Sequence, residues 1–128
     1  MVHQVTQGIK VSVETSFEGT FYKVGRIFYA FGYTVTIHNQ SNNAVQLKSR
    51  FWKIQDALNE TEVVMGDGVI GKKPVLQPGQ AHTYTSGCLL QSPFGSMRGH
   101  YKMINFNTTT NFKVAIPRFD LAASFAMN

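Results

Sequence analysis

This sequence predicts an all-β chain, folded as an antiparallel sandwich. Three observations carry the expectation. Aromatic residues make up 12% of the chain and fall in runs that alternate with Val, Ile and Thr, residues that suit a pleated, half-buried surface. No segment sustains a helical period. Clusters of Gly, Pro, Asn and Ser recur between the alternating runs and mark turns.

The elements follow in chain order. "IKVSVETSF" sets Ile9, Val11 and Val13 against Lys10, Ser12 and Glu14, a strand with one wet face. "EGTFYKVGR" reads as a loop. "IFYAFGYTVTIHN" is the strongest strand, with Ile27, Tyr29, Phe31, Tyr33, Val35 and Ile37 on one side. "NQSNN" is a turn in which Asn supplies the awkward dihedrals. "AVQLKSRFWKI" is a strand that changes phase midway: Val45 and Leu47 share a face, while Trp52 and Ile54 have the opposite parity. One extra residue, a β-bulge, would realign them. "TEVVM" is a short strand, and Pro78-Gly79 a turn. "AHTYTSG" alternates again, and "SPFGS" turns the chain. "MRGHYKMINF" puts Met97, Gly99, Tyr101 and Met103 on one face and Arg98, His100 and Lys102 on the other. "FKVAIP" points Phe112, Val114 and Ile116 inward, and Pro117 fits a strand end or an edge strand. Seven to eight short strands with frequent turns define an immunoglobulin/fibronectin-III-like antiparallel β-sandwich.

The totals agree. The 128 residues, 43% hydrophobic and 15% charged, supply one domain over residues 1–128 with its own core. The net charge of +5 favours anionic partners only modestly. No run of like charge exceeds Lys72-Lys73, so no nucleic-acid-binding arm is expected. Cys88 is the lone cysteine, which points to a reduced, cytoplasmic setting. The first residues lack the basic and apolar regions of a signal peptide, and no apolar stretch is long enough to insert in a bilayer.

"GDGVIG", residues 66–71, has the spacing of a loop that cradles a pyrophosphate. Such a loop needs a helix to begin at its end, so that free amides and the helix dipole meet the anion. Here "KKPVLQPGQ" follows, and Pro74 and Pro78 interrupt any opening turn. The glycines therefore read as positive-φ positions in a bulged connection between strands. Gly66, Asp67, Gly68, Gly71 and Lys72 remain a candidate binding loop, since Lys72 and exposed amides could hold an anion weakly.

Other chemistry is sparse. The acids are scattered, and no paired-carboxylate site is visible. His38, His82, His100 and Cys88 lack the short spacing of a zinc site, so no metal or cofactor is expected. Strand pairing could still bring His82 and His100 together. Cys88 reads as a small buried hydrophobe rather than a nucleophile. Trp52 anchors the core if the bulge exists; in a regular strand it would stand outside with Lys48 and Arg50. Arg50, Arg98, His100 and Lys102 form a candidate anion or partner surface.

Six segments, "FGYTVTIHN", "RFWKI", "GDGVIG", "VLQPGQAHTYTSG", "SPFGSMRGHYKM" and "FKVAIPRFDL", stand in an order and spacing that resemble the ApaG family, called CorD in enterobacteria. The resemblance covers roughly Val5 to Phe125 and implies a fibronectin-III-like sandwich. It also implies a genetic link to cobalt and magnesium resistance or efflux. In eukaryotes, domains of this family look like protein-interaction modules. The resemblance maps the family's glycine motif to Gly66, Gly68 and Gly71 and brings no catalytic set. "SPFG" and the tail after Leu121 look divergent.

The function expected is a non-enzymatic binding module for an unidentified protein partner. The alternative is a metal- or anion (nucleotide)-binding regulator of divalent cation homeostasis. An enzyme ranks third and a nucleic-acid binder fourth.

Overall fold

The computed structural model describes residues 1–123, and every regular element among them is a strand. In order these are β1 (Val2–Thr6), β2 (Ile9–Lys23), β3 (Arg26–Asn39), β4 (Val45–Asp56), β5 (Glu62–Asp67), β6 (Val75–Leu76), β7 (Ala81–Leu90), β8 (Phe94–Asn105) and β9 (Thr110–Ala122). One sheet has the order β1-β2-β3-β7; the other runs β5-β4-β8-β9, with β6 pairing the start of β4. All neighbours are antiparallel. This is the expected sandwich, with nine strands among the described residues. The divergent tail beyond Leu121 lies largely outside them.

Alternation builds the core. Ile9, Val11, Val13, Val35 and Ile37 of the first sheet meet Val45, Leu47, Tyr101, Met103 and Val114 of the second, each 1% exposed or less. The turn after β3 is pinned by Asn39, which is fully buried. Its Nδ2 donates to the carbonyls of Asn43 (2.8 Å) and Leu76 (2.9 Å). Its Oδ1 accepts from the amide and hydroxyl of Ser41 (3.0 and 2.6 Å). A buried amide so satisfied costs the fold little.

The stretch 18–26 is not a loop. β2 continues to Lys23 and pairs with β3 as far as Arg26, across a two-residue turn at Val24-Gly25. A register shift between Phe17 and Gly19 breaks the alternation there, and Tyr22 and Val24 stand exposed, so periodicity fails. β1 is likewise absent from the sequence reading: it lies on an edge, and its residues are mostly exposed.

The expected bulge in β4 is present. The register with β8 shifts between Leu47 and Ser49, and Lys48 is the extra residue. Trp52 thereby returns to the core, 3% exposed. β9 runs through Pro117 on the sheet's edge, at a further register shift, between Met97 and Gly99 of β8. A proline there forfeits no ladder bond.

The two flanks differ. Along one, β9 meets β1, and the Ala115 amide donates to Thr6 Oγ1 (3.3 Å). Along the other, β7 and β5 are edge strands with a cleft between them.

Candidate functional site

The cleft has a volume of about 630 Å³. Trp52, Val64 and Met97 line it from one sheet; Tyr84, Gly87 and Leu89 line it from β7. The loop residues Val69, Ile70 and Gly71 close one end, beside Asp67. The bulge at Lys48 determines this lining. Beyond it the even-numbered residues of β4 turn inward, so Arg50 follows Trp52 to the core side. Arg50 stands in register with Tyr101, which is 0% exposed.

Arg98, His100 and Lys102 take the outer face of β8, and Arg50, though turned toward the core side, still borders a shallow groove that His100 and Lys102 line. Of the four residues grouped from sequence, Arg50, His100 and Lys102 line this groove and Arg98 does not. The phase break that returned Trp52 to the core carried Arg50 with it.

The guanidinium explains part of the glycine motif. Arg50 Nη1 donates to the carbonyls of Asp67 (2.9 Å) and Gly68 (2.8 Å). Gly66, on β5 opposite Arg50, makes room for it: a Cβ there would lie 2.8 Å from Nη2. Gly68 has φ +62°, and a Cβ on it would stand 2.3 Å from the Lys72 carbonyl oxygen. Val69 and Lys72 exchange both main-chain hydrogen bonds (2.8 and 3.0 Å) around Ile70-Gly71. The Gly68 amide donates to the Lys48 carbonyl (2.9 Å). The amides of Gly68, Val69 and Lys72 are thus engaged within the protein, and the loop aims carbonyls at a cation. That is the reverse of a pyrophosphate cradle, and no helix follows residue 71 among the described residues.

Arg50 has no carboxylate partner: the ion pairs of the described residues are Lys73–Asp67 (4.0 Å) and Arg118–Asp120 (3.4 Å). Behind it, the hydroxyls of Tyr84 and Tyr101 hydrogen-bond across the two sheets. Burial pushes both phenols well above their ordinary range. Tyr33 is raised for the same reason, against a hydrogen bond from Ser86, and its ring packs on Trp52 (5.5 Å). The Cys88 thiol is pushed up to about 11, by burial and then by the charges of Glu62 and Asp56. At neutral pH these groups stay protonated, a poor setting for nucleophilic chemistry.

The remaining candidates are dispersed. His82 and His100 lie in different sheets. No three His, Cys, Asp or Glu among the described residues gather closely enough to hold a metal ion. The "SPFG" turn joins Asp56, at the far end of β4 from the glycine loop, where Ser92 and the Gln91 amide bond its carboxylate. The strand between separates these two loops by roughly 25 Å at 3.3 Å per residue.

A two-sheet β-sandwich with one sealed flank and one clefted flank is thus the class of protein defined here. The ApaG domain model matches residues 23–105. The chain belongs to the ApaG domain family. It is 44% identical over 121 residues to Protein ApaG of Mesorhizobium japonicum, covering 94% of this chain and 92% of that one. It is 44% identical over 124 residues to Protein ApaG of Anaeromyxobacter dehalogenans, covering 97% of each. Among solved structures, the putative ApaA protein of Bordetella pertussis superposes with a TM-score of 0.80 at 37% identity, over 91% of this chain and 94% of that one. A structural-genomics target superposes with a TM-score of 0.86 at 38% identity, over 91% and 88%.

Proposed function

We propose that this chain is a non-enzymatic recognition module that holds an extended segment of a protein partner in the cleft between β5 and β7. One observation carries the reading: two edge strands face each other across a cleft of about 630 Å³ whose wall mixes apolar residues such as Trp52, Val64 and Leu89 with polar ones such as Arg50, Glu62 and Ser86. Edge strands offer free main-chain donors and acceptors, and an apolar floor takes alternate side chains of an added strand. The protonated Cys88 and tyrosines support a binding role over a catalytic one. A link to cobalt and magnesium homeostasis then runs through the partner, in the cytoplasm.

A photocrosslinking residue at Leu89 or Ile70 tests this in native lysate. The expected result is one saturable adduct, competed by unlabelled protein and lost in a Ser86→Arg variant, whose side chain shares the inward parity of Tyr84 and enters the cleft. Adducts that do not saturate, or that persist with the cleft filled, retire the reading.

The anion-binding alternative keeps one supporting feature, the unpaired guanidinium of Arg50. Calorimetry with cobalt, magnesium, ATP and diadenosine tetraphosphate separates it. Binding tighter than about micromolar, near −8 kcal/mol, favours the alternative, and silence removes it.

A further inference from the structure

Three rows of side chains cross the outer face of the β5-β4-β8-β9 sheet. The first aligns Val63, Lys53 and Arg98. The second aligns Met65, Phe51, His100 and Ala115, and the third Asp67, Ser49, Lys102 and Lys113. Lys53 thus faces Arg98, and Lys102 faces Lys113. Like charges directly opposite each other destabilise a sheet. None of the four joins an ion pair among the described residues, and Arg98, Lys102 and Lys113 are exposed.

Between the cationic rows, Phe51 and His100 stack with ring centroids 4.9 Å apart and planes 14° from parallel. The shallow groove, of about 440 Å³, passes over Phe51, Met65, His100, Lys102 and Lys113, with Arg50 and Asp67 also in its wall. Partial burial and then the Lys113 charge lower the His100 pKa, so at neutral pH its ring is an uncharged stacking group. The sequence places Arg98 and Lys102 on one face of β8, and cross-strand register adds Lys53 and Lys113 beside them.

We propose that this face binds single-stranded nucleic acid, with Lys53, Arg98, Lys102 and Lys113 on phosphates and the Phe51–His100 pair against bases. The cationic rows lie about 13 Å apart along β8, four residues at 3.3 Å. That separation calls for a repeating anion rather than one phosphate or carboxylate. An acidic polypeptide would match the charges but leave the aromatic row unused. A duplex would hide the bases from it. Cationic grooves with interleaved aromatics are the usual means of holding single strands. The groove on this face shares Arg50 and Asp67 with the cleft, but none of the four cations nor the Phe51–His100 pair lines the cleft, so the proposal stands independently of the partner reading above.

Fluorescence anisotropy of a labelled single-stranded RNA of about 12 nucleotides tests it. Four neutralised phosphates predict that log K falls with log salt at a slope of about −3. Lys102→Glu turns a like-charge pair into an opposite one. It should raise the melting temperature while cutting affinity at least about tenfold and the slope to about −1.4. A binding loss with a stability gain excludes misfolding as its cause. Phe51→Ala should weaken binding at least about fivefold with the slope unchanged. Lys10→Glu, a charge change on the other sheet, should cost less than Lys102→Glu. No saturable binding at low salt overturns the proposal. So does an undiminished affinity in Phe51→Ala, or displacement by polyglutamate as effective as by unlabelled RNA, which would assign the face to acidic proteins.

Discussion

The guanidinium of Arg50 lies over the backbone of Gly66, so that a Cβ at residue 66 would come within 2.8 Å of Nη2. The two partners differ in what they can yield. Arg50 can swing its flexible end aside, whereas a main-chain contact cannot be relieved so easily. Gly66→Ala should therefore cost only about 1–2 kcal/mol, the two hydrogen bonds to Asp67 and Gly68. Gly68→Ala meets the Lys72 carbonyl and a positive φ together, and should cost more than about 2 kcal/mol. Gly71 has φ +71° and open space around it, so Gly71→Ala should cost about 1 kcal/mol. Urea unfolding of the three variants checks this order.

The Tyr84–Tyr101 hydroxyl pair joins the sheets inside the core. Tyr84→Phe or Tyr101→Phe alone strands a buried hydroxyl and should destabilise by about 1–3 kcal/mol. The double variant removes both groups and should be less destabilised than the sum of the two. A double-mutant cycle by chemical denaturation measures the coupling.

Asp56 gives the fold an acid-sensitive joint. Partial burial alone would raise its pKa, but hydrogen bonds from Ser92 and the amides of Gln91 (2.6 Å) and Leu58 (3.2 Å) hold it below the ordinary carboxylate value. A depressed folded-state pKa means that its stabilisation is complete at neutral pH and is lost as pH falls below about 4. Asp56→Asn should be less stable than the parent by about 1 kcal/mol at pH 7. The gap should narrow in unfolding curves as the pH is lowered below about 4.

Cys88 should resist alkylation. With its pKa pushed up to about 11, its thiolate fraction at neutral pH is more than about 100-fold below that of a free cysteine. Iodoacetamide should react correspondingly slowly with the folded protein and at an ordinary rate in denaturant. The folded rate should still be climbing above pH 10.

What the sequence made legible was whatever a single strand can express. Alternation located β3, β8 and β9, and the phase break between Leu47 and Trp52 revealed the bulge at Lys48. Pro74 and Pro78 correctly excluded a helix after the glycine loop. β1 escaped because an exposed edge strand carries no apolar period. The arm of β2 beyond Phe17 escaped because its register shifts there. The glycine motif marks Asp67 and Gly71, which line the cleft, as candidates on spacing alone, and the inward turn of Arg50 follows from the parity it shares with Trp52. The Tyr84–Tyr101 link and the opposed lysines depend on which strands become neighbours, and local pattern does not encode that.

Because β9 meets β1 through Ala115 and Thr6, the two sheets are tied along that flank and open along the other, where β5 and β7 are edge strands. A strand added to either open edge would widen one sheet without loosening the sandwich.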